Sequence, residues 1–192
     1  MKMRKVLSAL LVAACTLSLA ACGSSSSKNE TTGASGETAA GSANTAKVID
    51  VDLTSEEYAF GVDKTQPELL EQTNTFIQKI KDDGTLDAIC AKYFGDGEPE
   101  AVESAELDSS KDQLVVATNA AFEPFEYTKG DQYYGIDMEI AKLLADELGK
   151  ELVIQNMDFD AVCLSVSQQK CDIAMAGLTI NEERQEYVTF TD

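Results

Sequence analysis

Three short apolar runs, LVVAT, LVIQ and DIAMA at residues 114–118, 152–155 and 172–176, constrain the fold of this chain more than any other feature. A run that is apolar at successive positions suits a strand covered on both faces, whereas a strand with one wet face alternates. Helical patterns separate the runs. Met138–Leu148 has an apolar stripe and a terminating Gly149, and Ala161–Ser167 forms a second helical stretch. Asn181 is placed to cap a short helix opened by Glu182, Glu183 and Arg184, and Val188–Thr191 reads as a last strand. Strands alternating with helices predict an α/β fold, a mixed sheet covered by helices on both faces.

A second folded stretch precedes this one. Tyr58–Val62 reads as a short strand, and Pro67 suits the first turn of a helix whose Leu69, Leu70, Thr73, Phe76, Ile77 and Ile80 share one face. Gly84 ends that helix, and Leu86, Ile89, Cys90 and Tyr93 mark another, stopped by Gly95. Residues 96–112 are acidic, poor in apolar side chains and loop-like.

The N-terminus carries Lys2, Arg4 and Lys5 before an apolar stretch too short to span a bilayer, a pattern of a secretory signal peptide over residues 1–21. Its end, LAAC, resembles the lipobox of bacterial lipoproteins, with Cys22 as the lipidated residue. Cys15 stands in a similar VAAC context, but cleavage there would shorten the apolar region. Residues 22–47 are rich in Ser, Gly, Thr and Ala and read as a flexible tether, spanning roughly 25–30 Å as a coil.

Composition narrows the function. The net charge of −19 and the lack of any basic patch beyond the first few residues exclude nucleic acid as a natural partner. The chain has no His, so it lacks the commonest general base and the commonest metal ligand. No cofactor and no metal are expected, and no carboxylate stands out as a catalytic acid. Cys90, Cys163 and Cys171 sit among apolar neighbours and read as small buried hydrophobes, with a Cys163–Cys171 bridge as the alternative.

In α/β sheets, ligands sit beyond the carboxyl ends of strands. Two such ends are polar here: Asn119 and Phe122 follow the first apolar run, and AGLTINEER follows the third. Gly177 permits close backbone approach, Thr179 offers a hydroxyl and an N–H, and Arg184 offers a planar donor fork. With the open N–H groups of a helix start, these suit a carboxylate. The alternative is that Arg184 pairs with Glu182 or Glu183 on a solvated helix.

The phrases LVVATNAAFEPFEYTKGDQYYGIDMEIAKLLADELG, NMDFDAV and DIAMAGLTINEERQEYVTFTD resemble the first lobe of the bacterial extracellular solute-binding proteins of family 3, the amino-acid receptors of ABC importers. The resemblance implies a periplasmic-binding-protein-like type II lobe over residues 113–192. It implies Phe122 and Phe159 as aromatic walls, Gly177 as a carbonyl for the ligand's ammonium group, and Thr179 and Arg184 as the α-carboxylate clamp. Asn119 stands where the family's glutamine receptors carry an Asp, a departure that weakens any claim for glutamine specifically. Residues 48–95 resemble the strand and helices that complete the same lobe at the opposite end of family members, so the order is permuted or the segment duplicated, with residues 96–112 as the linker.

The implied protein is a monomeric, non-enzymatic lipoprotein outside the cytoplasm, working with an ABC permease in the membrane; the alternatives are a non-transporting lobe that only contacts a partner protein and a dehydratase-like relative of the same fold. The family's receptors close two lobes around their ligand. These residues supply one lobe and no second, so weak binding by them alone is expected. The close on an apolar strand points to a fragment, with a free-standing permuted lobe as the alternative.

Overall fold

The structure, a computed structural model, describes residue 51 and residues 56–192. The expected signal peptide, lipidated Cys22 and tether lie outside the described residues. The described chain forms β1 (Gly61–Asp63), α1 (Pro67–Asp82), α2 (Thr85–Phe94), β2 (Gln113–Thr118), β3 (Ala121–Phe122), β4 (Glu126–Lys129), β5 (Gln132–Tyr134), α3 (Ile136–Leu148), β6 (Glu151–Asn156), α4 (Val162–Ser167), β7 (Ile173–Ala174), α5 (Glu182–Gln185) and β8 (Val188–Phe190). A 3-10 turn at Phe159–Ala161 leads into α4.

The five-stranded sheet has the order β6-β2-β7-β1-β8. Strands β6, β2 and β7 run parallel, paired from Gln113↔Glu151 to Thr118↔Asn156 and at Val116↔Ile173. Strand β1 is antiparallel to both β7 and β8, so the sheet is mixed, as the sequence pattern predicts. Alternate residues face opposite layers. Leu114, Val116, Leu152, Ile154, Ile173 and Met175 meet α1, α2 and α3, whereas Ala117, Ala174 and Ala176 meet α4 on the other face. Both faces are covered.

The sheet also explains why residues 56–95 and 113–192 form one lobe. Val62 of β1 is fully buried between β7 and β8, and Phe76 and Ile80 of α1 share a core with Met138 and Leu144 of α3. Polar ties reinforce this packing. Buried Glu139 of α3 accepts from the Tyr93 hydroxyl at 2.7 Å and from Lys92 Nζ at 2.7 Å, both on α2.

Several local expectations are revised. The first strand is shorter and later than Tyr58–Val62, because Tyr58 makes only an isolated bridge to Thr179 before regular pairing begins at Gly61. The run DIAMA pairs as a strand only over Ile173–Ala174, since the chain then turns into the loop at Gly177. Residues 96–112 lack regular structure, yet Val102 is buried and bridges Tyr133, so the acidic stretch is packed against the lobe. The antiparallel sheet β3-β4-β5 was not read from the sequence, because its strands are two to four residues long. Cys163 and Cys171 are buried free thiols and Cys90 a half-buried one, which rules out the Cys163–Cys171 bridge in this structure.

If the early segment belongs to this core, Phe76→Ala should lower the stability of the whole lobe by about 3–5 kcal/mol. Urea unfolding followed by both tryptophan-free fluorescence of tyrosine and far-UV circular dichroism should show one transition at a lower midpoint. Two separated transitions would show that residues 56–95 and 113–192 do not fold together.

Candidate functional site

The carboxyl ends of β2, β6 and β7 open on the same edge of the sheet, and the six residues singled out from sequence follow those ends. Asn119, Phe122, Phe159, Gly177, Thr179 and Arg184 all line one cleft of about 400 Å³, together with Glu56, Tyr58 and Glu126. Residues far apart in the chain therefore share one cavity.

Each is held by an identifiable contact. The Asn119 side-chain N–H donates to the Met157 carbonyl at 2.7 Å, which ties the end of β2 to the end of β6. Phe122 stacks on Phe125, centroids 5.4 Å apart, and is 46% exposed; Phe159 is 40% exposed. Both rings thus present a face to the cleft instead of filling the core. Gly177 has φ +54°, and an added β-carbon would stand 3.0 Å from the Phe122 ring. Glycine lets the loop after β7 run against that ring without strain.

Arg184 is oriented from three directions. Its backbone N–H donates to the Asn181 side chain at 2.8 Å, its Nη1 donates to the Thr179 carbonyl at 2.7 Å, and its guanidinium lies 5.1 Å from the Phe159 ring centroid. Among the described residues it forms no ion pair, so pairing with Glu182 or Glu183 is not what the structure adopts. Helix α5 is only four residues long, and the Asn181 cap already takes the Arg184 N–H. The anion-binding capacity therefore rests on the guanidinium and Thr179 more than on an open helix start. The Thr179 hydroxyl donates to the Glu56 carboxylate at 3.2 Å, so in this structure a carboxylate of the chain itself touches the expected clamp.

Two carboxyl groups that the sequence reading passed over dominate the electrostatics, and they correct the expectation that no carboxylate stands out. Glu126 is 1% exposed, and its Oε2 has no hydrogen-bond partner. Burial pushes its carboxyl up to about 9, and the neighbouring Asp137 carboxylate adds to the rise. Asp137 Oδ2 accepts from the Gly177 N–H at 2.8 Å, while burial lifts its carboxyl to about 7 against that hydrogen bond. The helix α3 that carries Asp137 is docked on the preceding turn, its Ile136 and Asp137 N–H groups donating to the Pro124 and Phe125 carbonyls at 3.1 and 2.9 Å. Gly135 at the junction has φ +129°, and a β-carbon there would fall 2.1 Å from the Phe125 carbonyl oxygen. The signal available in sequence was a Glu in a short alternating strand and an Asp directly after a glycine, neither of which marks burial on its own.

The raised carboxyls have a consequence for stability. A folded-state value above the unfolded one means that the folded chain holds more protons between about pH 4 and 9. That contribution is therefore complete at low pH and is lost as pH rises through 7 toward 9. Stability from urea midpoints should fall over this window, and Glu126→Gln and Asp137→Asn should each flatten the fall. A profile in which neither variant changes the slope would contradict the buried carboxyl geometry.

Comparison with known proteins gives a consistent result. The model of the bacterial extracellular solute-binding proteins, family 3, matches residues 114–192. The arginine-binding extracellular protein ArtP of Bacillus subtilis is 38% identical over 85 residues, 44% of this chain and 33% of that protein. The cyclohexadienyl dehydratase of Pseudomonas aeruginosa is 37% identical over 79 residues, 41% of this chain and 30% of that protein. Among solved structures, the arginine-bound form of domain 1 from TmArgBP is 38% identical, covering 45% of this chain and 71% of that one, with a TM-score of 0.41. The chain spans about a third of the length of the curated relatives it matches. Residues 114–192 belong to the bacterial extracellular solute-binding proteins, family 3.

Proposed function

We propose that this chain is the first lobe of a receptor that binds a polar, and by preference cationic, α-amino acid for an ABC importer. The observation that carries the reading is the convergence of Asn119, Phe122, Phe159, Gly177, Thr179 and Arg184 on one cleft. Arg184 and Thr179 take the ligand's α-carboxylate, the charge-assisted pair that a planar guanidinium makes best. The Gly177 carbonyl meets the ammonium group. Phe122 and Phe159 flank the aliphatic part of the side chain. A zwitterion leaves the buried Glu126 carboxyl unmatched, and a guanidinium or ammonium at the far end of the side chain supplies its partner. Several relatives are named as arginine-binding proteins, which agrees with that charge.

Residues 56–95 complete the lobe from the N-terminal side, in an order permuted relative to the family. Cys22 carries the lipid, residues 22–47 act as the tether, and the lobe works outside the cytoplasm beside a membrane permease. Entry of a ligand displaces Glu56 from Thr179, exchanging one carboxylate for another.

The test is an NMR titration of the chain with arginine up to millimolar concentration. Backbone shifts at Gly177, Thr179 and Arg184 should saturate, and Arg184→Ala should weaken binding by at least about 30-fold, roughly 2 kcal/mol. Shifts unchanged by that variant would defeat the clamp.

A second reading has one observation in its favour. Glu126 is a buried carboxyl in the cleft that burial pushes up to about 9, the type of acid that loss of water from a cyclohexadienol requires, and one relative is named a cyclohexadienyl dehydratase. Incubation with such a substrate and detection of the aromatic product by absorbance should show no turnover; turnover abolished by Glu126→Gln would favour the enzyme.

A further inference from the structure

The contacts proposed above leave the pairing of Glu126 with Asp137 unused. Both carboxyl groups converge on Gly177 from beneath the cleft. Asp137 Oδ2 accepts from the Gly177 N–H at 2.8 Å, and Glu126 Oε2 would lie 3.7 Å from a β-carbon built there. Both side chains are buried, and Glu126 Oε2 has no partner. Two negative charges this close in a low-dielectric site repel strongly, so the pair keeps a proton while nothing cationic is near. The charged and titratable groups sharing the two cavities beside the pair are Glu56, Tyr58 and Arg184 on the Glu126 side, and Lys81 and Asp192 with Tyr58 on the Asp137 side. Arg184 is committed to the Thr179 carbonyl at 2.7 Å, so it does not neutralise the pair.

We propose that the Glu126–Asp137 pair is a proton-exchanging selectivity element: it holds a proton in the empty cleft and releases that proton when a cationic side chain enters. The step is balanced. The carboxylic acid of Glu126 loses its proton to solvent, and the arriving guanidinium or ammonium pairs with the carboxylate left behind. A neutral side chain such as that of glutamine meets the protonated acid instead, as a hydrogen-bond partner, with no proton released. The inference rests on the reading of the cleft as an amino-acid site and adds what decides the charge of the occupant.

Linkage then requires that the affinity for arginine, relative to that for glutamine, rise with pH while the pair is protonated, by up to about tenfold per pH unit. The glutamine comparison cancels titration of the ligands' α-ammonium group. The experiment is an NMR titration of the full chain with each amino acid at pH 6, 7, 8 and 9, read at Gly177 and Thr179, repeated for Glu126→Gln and Asp137→Asn. The expected result is a rising arginine-to-glutamine ratio in the native chain, a flat ratio in Glu126→Gln, and a shallower rise in Asp137→Asn. A pH-independent ratio with both amino acids bound would leave the amino-acid site standing and overturn the proton exchange. Absence of any shift with either amino acid would overturn the amino-acid reading and this inference with it. A ligand-free readout checks the pair directly: carbon-13 carboxyl shifts of Glu126 and Asp137 should move above pH 6, and Asp137→Asn should lower the midpoint of Glu126. Ordinary titration of both near pH 4 would overturn the proposal.

Discussion

The hydrogen bond from the Gly177 N–H to the buried Asp137 carboxyl fixes the geometry on which the rest of the cleft depends. It anchors the loop leaving β7 to the start of α3, and therefore sets where the Gly177 carbonyl, Thr179 and Arg184 can stand. The same glycine packs against the Phe122 ring with no side chain between them. The Phe122 ring, the loop leading to Thr179 and Arg184, and the buried Glu126 and Asp137 carboxyls meet around one residue that has room because it has no β-carbon.

The lobe that supports this point is held together by a sheet covered on both faces. Three parallel strands are covered by α1, α2 and α3 on one face and by α4 on the other, and β1 closes the sheet between β7 and β8. Such a sheet delivers its strand ends to one edge, and loops there can carry polar groups without disturbing the core. The cleft departs from the pattern of a well-satisfied interior only at its acids. An unpartnered Glu126 Oε2 beside Asp137 costs stability. Groups kept under that kind of tension are the ones a ligand can relieve.

Much of the scaffold was legible in the sequence because it rests on local signals. The apolar run at Leu114–Thr118, the Pro67 helix start, the Gly149 stop and the Asn181 cap each act within a few residues of themselves, and each appears where it was expected. The cleft residues Asn119, Phe122, Gly177, Thr179 and Arg184 were legible at the polar ends of apolar runs, and Phe159 through resemblance; spacing alone left Arg184 divided between ligand and surface pairing. Glu126 and Asp137 were not legible. Their character comes from burial by β4, α3 and the β7 loop together, and no local pattern distinguishes them in a chain with 34 acidic residues. The contact between Glu56 and Thr179 was hidden for the same reason, since it joins residues 123 positions apart.

The central claim is that a guanidinium and a threonine at the mouth of this lobe grasp the acid group of a small zwitterion. A crystal structure of the protein soaked in arginine tests it most directly. The expected density has the ligand's α-carboxylate about 2.8 Å from the Arg184 guanidinium and the Thr179 hydroxyl, with its side chain between Phe122 and Phe159 and its guanidinium toward Glu126. Arginine bound elsewhere, with Arg184 meeting no anion and Glu56 still on Thr179, would contradict it.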